Sequence, residues 1–181
     1  MNNRTLLRLA GADARDFLQG LVTNDVTQAQ HGLVYAALLT PQGKFIVDFF
    51  VIEHEGSLLI DVATPFAAQL AQRLNMYRLR ADVQIEESPL LVSRATGAAP
   101  QGALPDPRHP ALGWRLISDT DQSDDTDWDA LRVAHVIPET GIELTPDTYI
   151  LEAGFERLNG IDFQNTNTFQ FIFNNVKQQS M

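Results

Sequence analysis

The spacing of apolar and polar residues predicts several strands in the first half of the chain. The clearest run is Phe45 to Ile52, which is apolar on both faces of a pleated strand except at Asp48. That pattern is typical of a central strand covered on both sides. Further strand-like runs are Thr5 to Leu9, Leu33 to Thr40, Leu58 to Val62, Val83 to Ile85, Leu90 to Arg94 and Trp114 to Ile117.

Helical spacing predicts helices between these strands. The segment from Gly11 to Leu18 predicts the start of one helix, with Asp13 as its cap, and Gly20 is placed to end it. A longer one begins at Thr64, a good N-cap residue, and its apolar positions are Phe66, Leu70, Leu74 and Tyr77. The order of strand, helix, three strands, helix and two strands predicts an α+β fold with mostly antiparallel sheets and packed helices.

Composition narrows the classes of function. The net charge of −10 argues against a nucleic-acid partner. No apolar stretch approaches the ~20 residues of a membrane helix, so no membrane partner is expected. The start of the chain lacks the apolar core of a signal peptide, which predicts a cytoplasmic location. With no cysteine and four scattered histidines, we predict no metal site and no thiol nucleophile.

Sequence blocks in a fixed order carry a family resemblance. They run from Gly11 to Val26, Tyr35 to Asp48, Tyr77 to Val83, Arg132 to Gly141 and Leu151 to Phe163. Together they resemble the YgfZ/GcvT superfamily of folate-binding proteins, which includes the glycine-cleavage T-protein, an aminomethyltransferase. The family's Lys-Gly-Cys-Tyr-x-Gly-Gln-Glu signature is expected directly after Phe163 but is not in this chain. The resemblance therefore implies a truncated member without the C-terminal β-barrel.

The resemblance implies a function and a domain organisation. We expect a tetrahydrofolate-binding accessory protein in iron–sulfur cluster assembly or repair, with folate and iron–sulfur client proteins as its partners. Because the cysteine-containing signature is missing, we expect this chain to be inactive. A T-protein-like aminomethyltransferase and a non-catalytic remnant or altered chain are the alternatives. We expect a folate-binding subdomain at 1–95, a second α+β portion at 96–163 and an atypical Asn- and Gln-rich tail at 164–181. An exposed surface or the tail could support self-association.

Asp48 is the strongest candidate for folate binding. It is the only polar side chain in its apolar strand, and a buried carboxylate needs a partner. The N–H donors of a pterin would supply one, and the resemblance places a functionally important T-protein carboxylate on the equivalent strand. A structural ion pair with Arg78 or Arg80 is the alternative.

The other candidates also have structural alternatives. Asn24 can give and accept hydrogen bonds to a pterin edge, or can stabilise a turn. One of Arg78 and Arg80 could bind the glutamate carboxylates of folate, while the other complements the end of its helix. Three further candidates complete the folate-binding set: Tyr77 at the rim of the site, and the acids Glu139 and Glu152. No catalytic residue is predicted.

Overall fold

The structure is a computed structural model that describes residues 3–164. Apart from Gln164, the predicted tail at 164–181 lies outside that range. The strands are β1 (Arg4–Ala10), β2 (Val34–Leu39), β3 (Phe45–His54), β4 (Ser57–Ala63), β5 (Gln84–Glu87), β6 (Leu91–Ala95), β7 (Leu104–Pro105) and β8 (Trp114–Ser118). The helices are α1 (Ala14–Gln19), α2 (Thr64–Arg78) and α3 (Trp128–Ala134), with 3₁₀ turns at Val26–Gln30 and Pro110–Leu112.

Two antiparallel sheets form the framework. The larger has the strand order β2-β3-β4-β1-β5 and the smaller has the order β6-β8-β7. Every strand pair in both sheets is antiparallel. The predicted α+β class, with antiparallel sheets and packed helices, is confirmed.

One face of the large sheet is covered by helices. Val47, Phe49 and Val51 of β3 point into this core, and α2 contributes Leu70 and Leu74. The central position of β3 explains why Phe45 to Ile52 is apolar in both pleat directions, since its other face is covered as well. The apolar positions whose spacing predicted α2, the longest helix of the described chain, are thus the ones that pack against the sheet.

The opposite face of the large sheet is covered in two ways. Residues from the last part of the described chain, including Ile137, Ile150 and Phe155, pack against Tyr35 and Phe50. Beside them, the small sheet lies on the large one through an apolar cluster of Leu6, Leu59 and Val92, with Ile52, Leu90 and Ile117 at its margin. The same face carries Asp48 and Asp61, because side chains alternate along each strand.

Some local details differ from the sequence predictions. Asp13 flanks α1, but its side chain accepts a hydrogen bond from the amide of Asp82 rather than capping the helix. Thr64 is the first residue of α2, not its cap, and its hydroxyl bonds to that of Thr5. The Pro- and Gly-rich segment 97–113 contains the short strand β7, which pairs with β8. No helix within residues 3–164 is long and apolar enough to cross a membrane.

The proposed division at residue 95 stays a prediction. Strand β6 (Leu91–Ala95), however, pairs with β8 and so belongs to the second sheet. The Arg115–Asp61 ion pair and the apolar cluster around Leu59 join the two sheets. The two predicted portions are therefore packed against each other in this structure.

Candidate functional site

A cavity of about 420 Å³ opens between the two sheets and α3. Its wall combines Asp48 of the large sheet with Arg94 and Arg115 of the small one, and Trp128 and Thr140 from the later chain. The volume is within the range of small-molecule sites. Of the sequence candidates, only Asp48 and Glu139 line it.

Two hydroxyl groups hold the Asp48 carboxylate. Tyr35, opposite Phe50 on the neighbouring strand, donates its phenol O–H to Asp48 Oδ2 at 2.8 Å. Thr140 donates a short hydrogen bond to Asp48 Oδ1. Burial and the charge of Asp48 raise the pKa of the Tyr35 phenol well above its usual value, so Tyr35 remains a donor. The predicted alternative partner of Asp48 was wrong, because neither Arg78 nor Arg80 pairs with it.

A network of buried ions lies behind Asp48. Asp61 of β4 binds Arg4 at 2.6 Å and Arg115 at 2.8 Å. Arg115 also reaches Asp106 at 3.2 Å, and Asp106 pairs with Arg108 at 2.8 Å. Burial alone would raise the carboxyl pKa values. The neighbouring guanidinium groups outweigh it, lowering the pKa of Asp61 and bringing that of Asp106 to about 2.

The ring of Phe50 is the surface on which these guanidinium groups rest. The central carbon of Arg115 lies 3.9 Å from the ring centroid, that of Arg108 4.8 Å and that of Arg4 5.8 Å. Cations are attracted to the negative face of an aromatic ring. Phe50 therefore fixes the arginines between the sheets while its other contacts belong to the apolar core.

Arg94 differs from the other arginines of the cavity. Its guanidinium lies over the Trp128 ring, 4.4 Å from the ring centroid. Within residues 3–164 it makes no ion pair. Burial and the positive charges of Arg115, Arg4 and Arg108 lower the pKa of Arg94 to about 10.

Acidic side chains surround Arg132 at the rim of the cavity. Arg132 Nε lies 2.9 Å from Glu139 Oε2 and 3.1 Å from Asp129 Oδ1. Arg132 Nη1 lies 3.0 Å from Glu143 Oε2. Glu139 thus lines the cavity, but its carboxylate already has a cationic partner, and a folate contact for it stays a prediction.

Asn24 joins separate parts of the backbone. Its amide nitrogen donates to the carbonyl of Tyr35 at 2.8 Å and to that of Asn159 at 2.7 Å, and its oxygen accepts from the amide of Asp25 at 2.9 Å. These bonds tie the segment that ends at Phe163 to the edge of the large sheet. These contacts indicate a structural role for Asn24.

The remaining candidates lie away from the cavity. Tyr77, Arg78 and Arg80 are at the end of α2, which covers the other face of the large sheet. Arg78 donates to the carbonyl of Val83 at 3.0 Å, while Arg80 is exposed. Glu152 lines a different cavity, beside Val136 and Arg157. Folate contacts for these residues remain predictions that the geometry of the main cavity does not favour.

Sequence analysis missed most of the ionic network. Asp61 carried the same signal as Asp48, since it is the only polar side chain between Leu58 and Val62. Asp106 and Arg108 are two residues apart, which permits a local ion pair. Nothing in that spacing indicates a connection to Asp61 of β4. Trp128 was not among the sequence candidates.

Comparison with known proteins identifies homologues named as iron–sulfur cluster assembly factors. The chain is 28% identical over 204 aligned positions to the mitochondrial factor IBA57 homolog of Neurospora crassa, covering 91% of this chain and 46% of that protein. It is 28% identical to IBA57 of Mus musculus and 29% identical to that of Homo sapiens. Each match covers 90% of this chain and 57% of the relative. No family model matches the chain.

These homologues belong to the YgfZ/GcvT-like superfamily that the sequence blocks resemble. The chain spans about half the length of the curated relatives it matches. Among solved structures, an aminomethyltransferase T of the glycine cleavage system from Bartonella henselae matches 50% of this chain and 26% of its own, with a TM-score of 0.46 and 15% identity.

The predicted cytoplasmic location was wrong. The relatives from Neurospora crassa, mouse and human are all named as mitochondrial proteins. The prediction rested on the absence of a signal peptide, and a signal peptide marks secretion rather than mitochondrial import.

Proposed function

We propose that this chain is the folate-binding part of a mitochondrial accessory factor for iron–sulfur cluster assembly, similar to IBA57. The observation that carries the proposal is the Asp48 carboxylate in the wall of a cavity of about 420 Å³. The names of the relatives support the role in iron–sulfur assembly. Iron–sulfur proteins are the proposed clients.

The residues around Asp48 fit a tetrahydrofolate. An ionised carboxylate has about four acceptor positions, and the hydroxyls of Tyr35 and Thr140 occupy two of them. The unused positions can accept N–H groups of a pterin. Because the two hydroxyls fix the carboxylate, binding would not require ordering a mobile acid.

The contribution of this chain is to bind and orient the ligand. When bound, tetrahydrofolate supplies amines that can carry a one-carbon unit, and Asp48 would hold the pterin that bears one of them. Asp48 is the proposed acceptor, and Tyr35 and Thr140 are its positioning residues. The sequence contains no cysteine, so no thiolate of this chain can hold a cluster.

Calorimetry with tetrahydrofolate tests the proposal. We expect saturable binding by the wild-type chain, and Asp48→Asn should weaken it by roughly tenfold to a hundredfold, the equivalent of ~1.5–3 kcal/mol for a hydrogen bond to a charged group. The Asn side chain keeps the shape of Asp. The hydroxyls of Tyr35 and Thr140 can reorient to donate or accept, so the fold should be retained.

Asp147→Asn is the matched control. Asp147 is also an aspartate whose carboxylate accepts a side-chain hydrogen bond, from Lys44 Nζ at 2.8 Å, but it is exposed and outside the cavity. This variant should bind tetrahydrofolate as the wild type does. Absence of binding by the folded wild-type chain, or equal affinity of wild type and Asp48→Asn, would refute the proposed site.

A further inference from the structure

Two arginines face each other across a strand pair of the small sheet. Arg94 of β6 lies directly opposite Arg115 of β8. Like charges in this position destabilise an antiparallel pair. The arrangement is stable only if each guanidinium finds a compensating partner.

Only one of the two is compensated within the described chain. Arg115 binds Asp61 at 2.8 Å and Asp106 at 3.2 Å. Arg94, within residues 3–164, has the face of Trp128 as its partner and no carboxylate. A cation–π contact contributes less than a charge-assisted hydrogen bond to a carboxylate and leaves the N–H donors of the guanidinium edge free.

Several acids near Arg94 in the fold have partners of their own. Asp127 accepts from the amide of Ala130, and Asp129 pairs with Arg132. Asp124 accepts from the amides of Thr96 and Thr126. These contacts hold the carboxylates in local turns, and none forms an ion pair with Arg94.

We propose that Arg94, oriented by Trp128, binds a carboxylate of the ligand in the cavity. The guanidinium presents planar, paired donors that match the two oxygens of a carboxylate, and Arg94 lines the same cavity as Asp48. The identity of the ligand rests on the proposed function, in which this carboxylate belongs to the glutamate of folate. Arg94 thus takes the role that sequence analysis gave to Arg78 or Arg80.

Calorimetry with two ligands separates this contact from pterin binding. Tetrahydrofolate carries carboxylates, whereas 6-methyltetrahydropterin carries none. Arg94→Gln should weaken tetrahydrofolate binding about tenfold to a hundredfold and leave 6-methyltetrahydropterin binding unchanged. The control Arg8→Gln removes an exposed arginine that pairs with Glu86 outside the cavity, and it should change neither affinity. Equal weakening of both ligands by Arg94→Gln, or no weakening of either, overturns the assignment.

A second measurement does not depend on the pterin. The side-chain Nε–H resonance of Arg94, assigned by its loss in Arg94→Gln, is followed by NMR while p-aminobenzoylglutamate or inorganic phosphate is added. A saturable shift with p-aminobenzoylglutamate supports the carboxylate site even if tetrahydrofolate fails to bind, in which case the proposed function alone is refuted. No shift, or a shift with phosphate alone, overturns the carboxylate site.

Discussion

Arg115 of β8 and Asp61 of β4 form an ion pair between the two sheets, with 2.8 Å between Arg115 Nη1 and Asp61 Oδ2. Both side chains are almost fully buried. The pair fixes the small sheet against the large one at the wall of the cavity. The position of Arg94, next to Arg115 in the small sheet, depends on it.

Replacing Arg115 should be strongly destabilising. Arg115→Met would leave Asp61 with Arg4 and Asp106 with Arg108, each carboxylate losing one of its buried cationic partners. Breaking a buried pair typically costs about 3–5 kcal/mol. The free energy of unfolding in urea measures this loss.

The control for this variant is Arg8→Met. Arg8 also pairs with a carboxylate, that of Glu86 at 2.6 Å, but both side chains are exposed. Exposed pairs contribute about 1 kcal/mol or less. Similar losses for both variants would contradict a structural role of the buried network.

The buried carboxylates should make the fold sensitive to acid. The pKa of Asp106 is about 2 in the folded chain, against an ordinary value of 3.8. A lowered pKa means that the folded state binds fewer protons, so this stabilisation is present above about pH 4 and is lost as the pH falls toward 2. Its size is about 2 kcal/mol. An NMR titration of the Asp106 carboxyl group tests this, and a midpoint at or above 3.8 would be inconsistent with the ion pairs.

Gly160 should not tolerate a side chain. A Cβ atom there would lie 2.6 Å from the Phe155 ring and 3.1 Å from that of Tyr35. Gly160→Ala should therefore cost about 1–3 kcal/mol through overpacking. Because Tyr35 donates to Asp48, the variant should also weaken ligand binding.

Gly32→Ala provides the comparison, since a Cβ at Gly32 meets no atom within 4 Å. This variant should unfold at nearly the wild-type urea concentration and keep its affinity for tetrahydrofolate. A neutral effect of Gly160→Ala on both measurements would mean that the packing around Tyr35 can relax.

Asn24 should matter for stability rather than for affinity. Asn24→Ala removes hydrogen bonds to the backbone of Tyr35, Asp25 and Asn159. The loss at the partly buried Tyr35 carbonyl should cost about 1–3 kcal/mol, and the loss at the exposed Asn159 carbonyl should cost less. Hydrogen exchange should show faster opening around Asn159. If the protein stays stable and loses affinity for tetrahydrofolate, Asn24 is a ligand contact as the sequence first indicated.

The architecture was predictable because its signals are local. The apolar run from Phe45 to Ile52 identified β3, and the spacing of Leu70 and Leu74 identified α2. Asp48 was recognisable because a lone carboxylate in such a run needs a partner. The packing that brings the Tyr35 and Thr140 hydroxyls to Asp48 could not be predicted, since Thr140 is 92 residues away along the chain.

The rest of the site depends on packing between distant elements. Asp61 had the same sequence signal as Asp48, but its partner Arg115 lies 54 residues further along the chain, in another sheet. Arg78 and Arg80 showed the opposite problem. Their residue types suited a carboxylate ligand, but the face on which α2 packs carries them away from the cavity.

The decisive measurement is the position of tetrahydrofolate in a crystal structure of its complex with this chain. We expect the pterin within hydrogen-bonding distance of the Asp48 carboxylate, in the cavity between the two sheets. Tetrahydrofolate bound instead at the Arg78 and Arg80 end of α2, with the Asp48 cavity free of ligand, would contradict the proposed site.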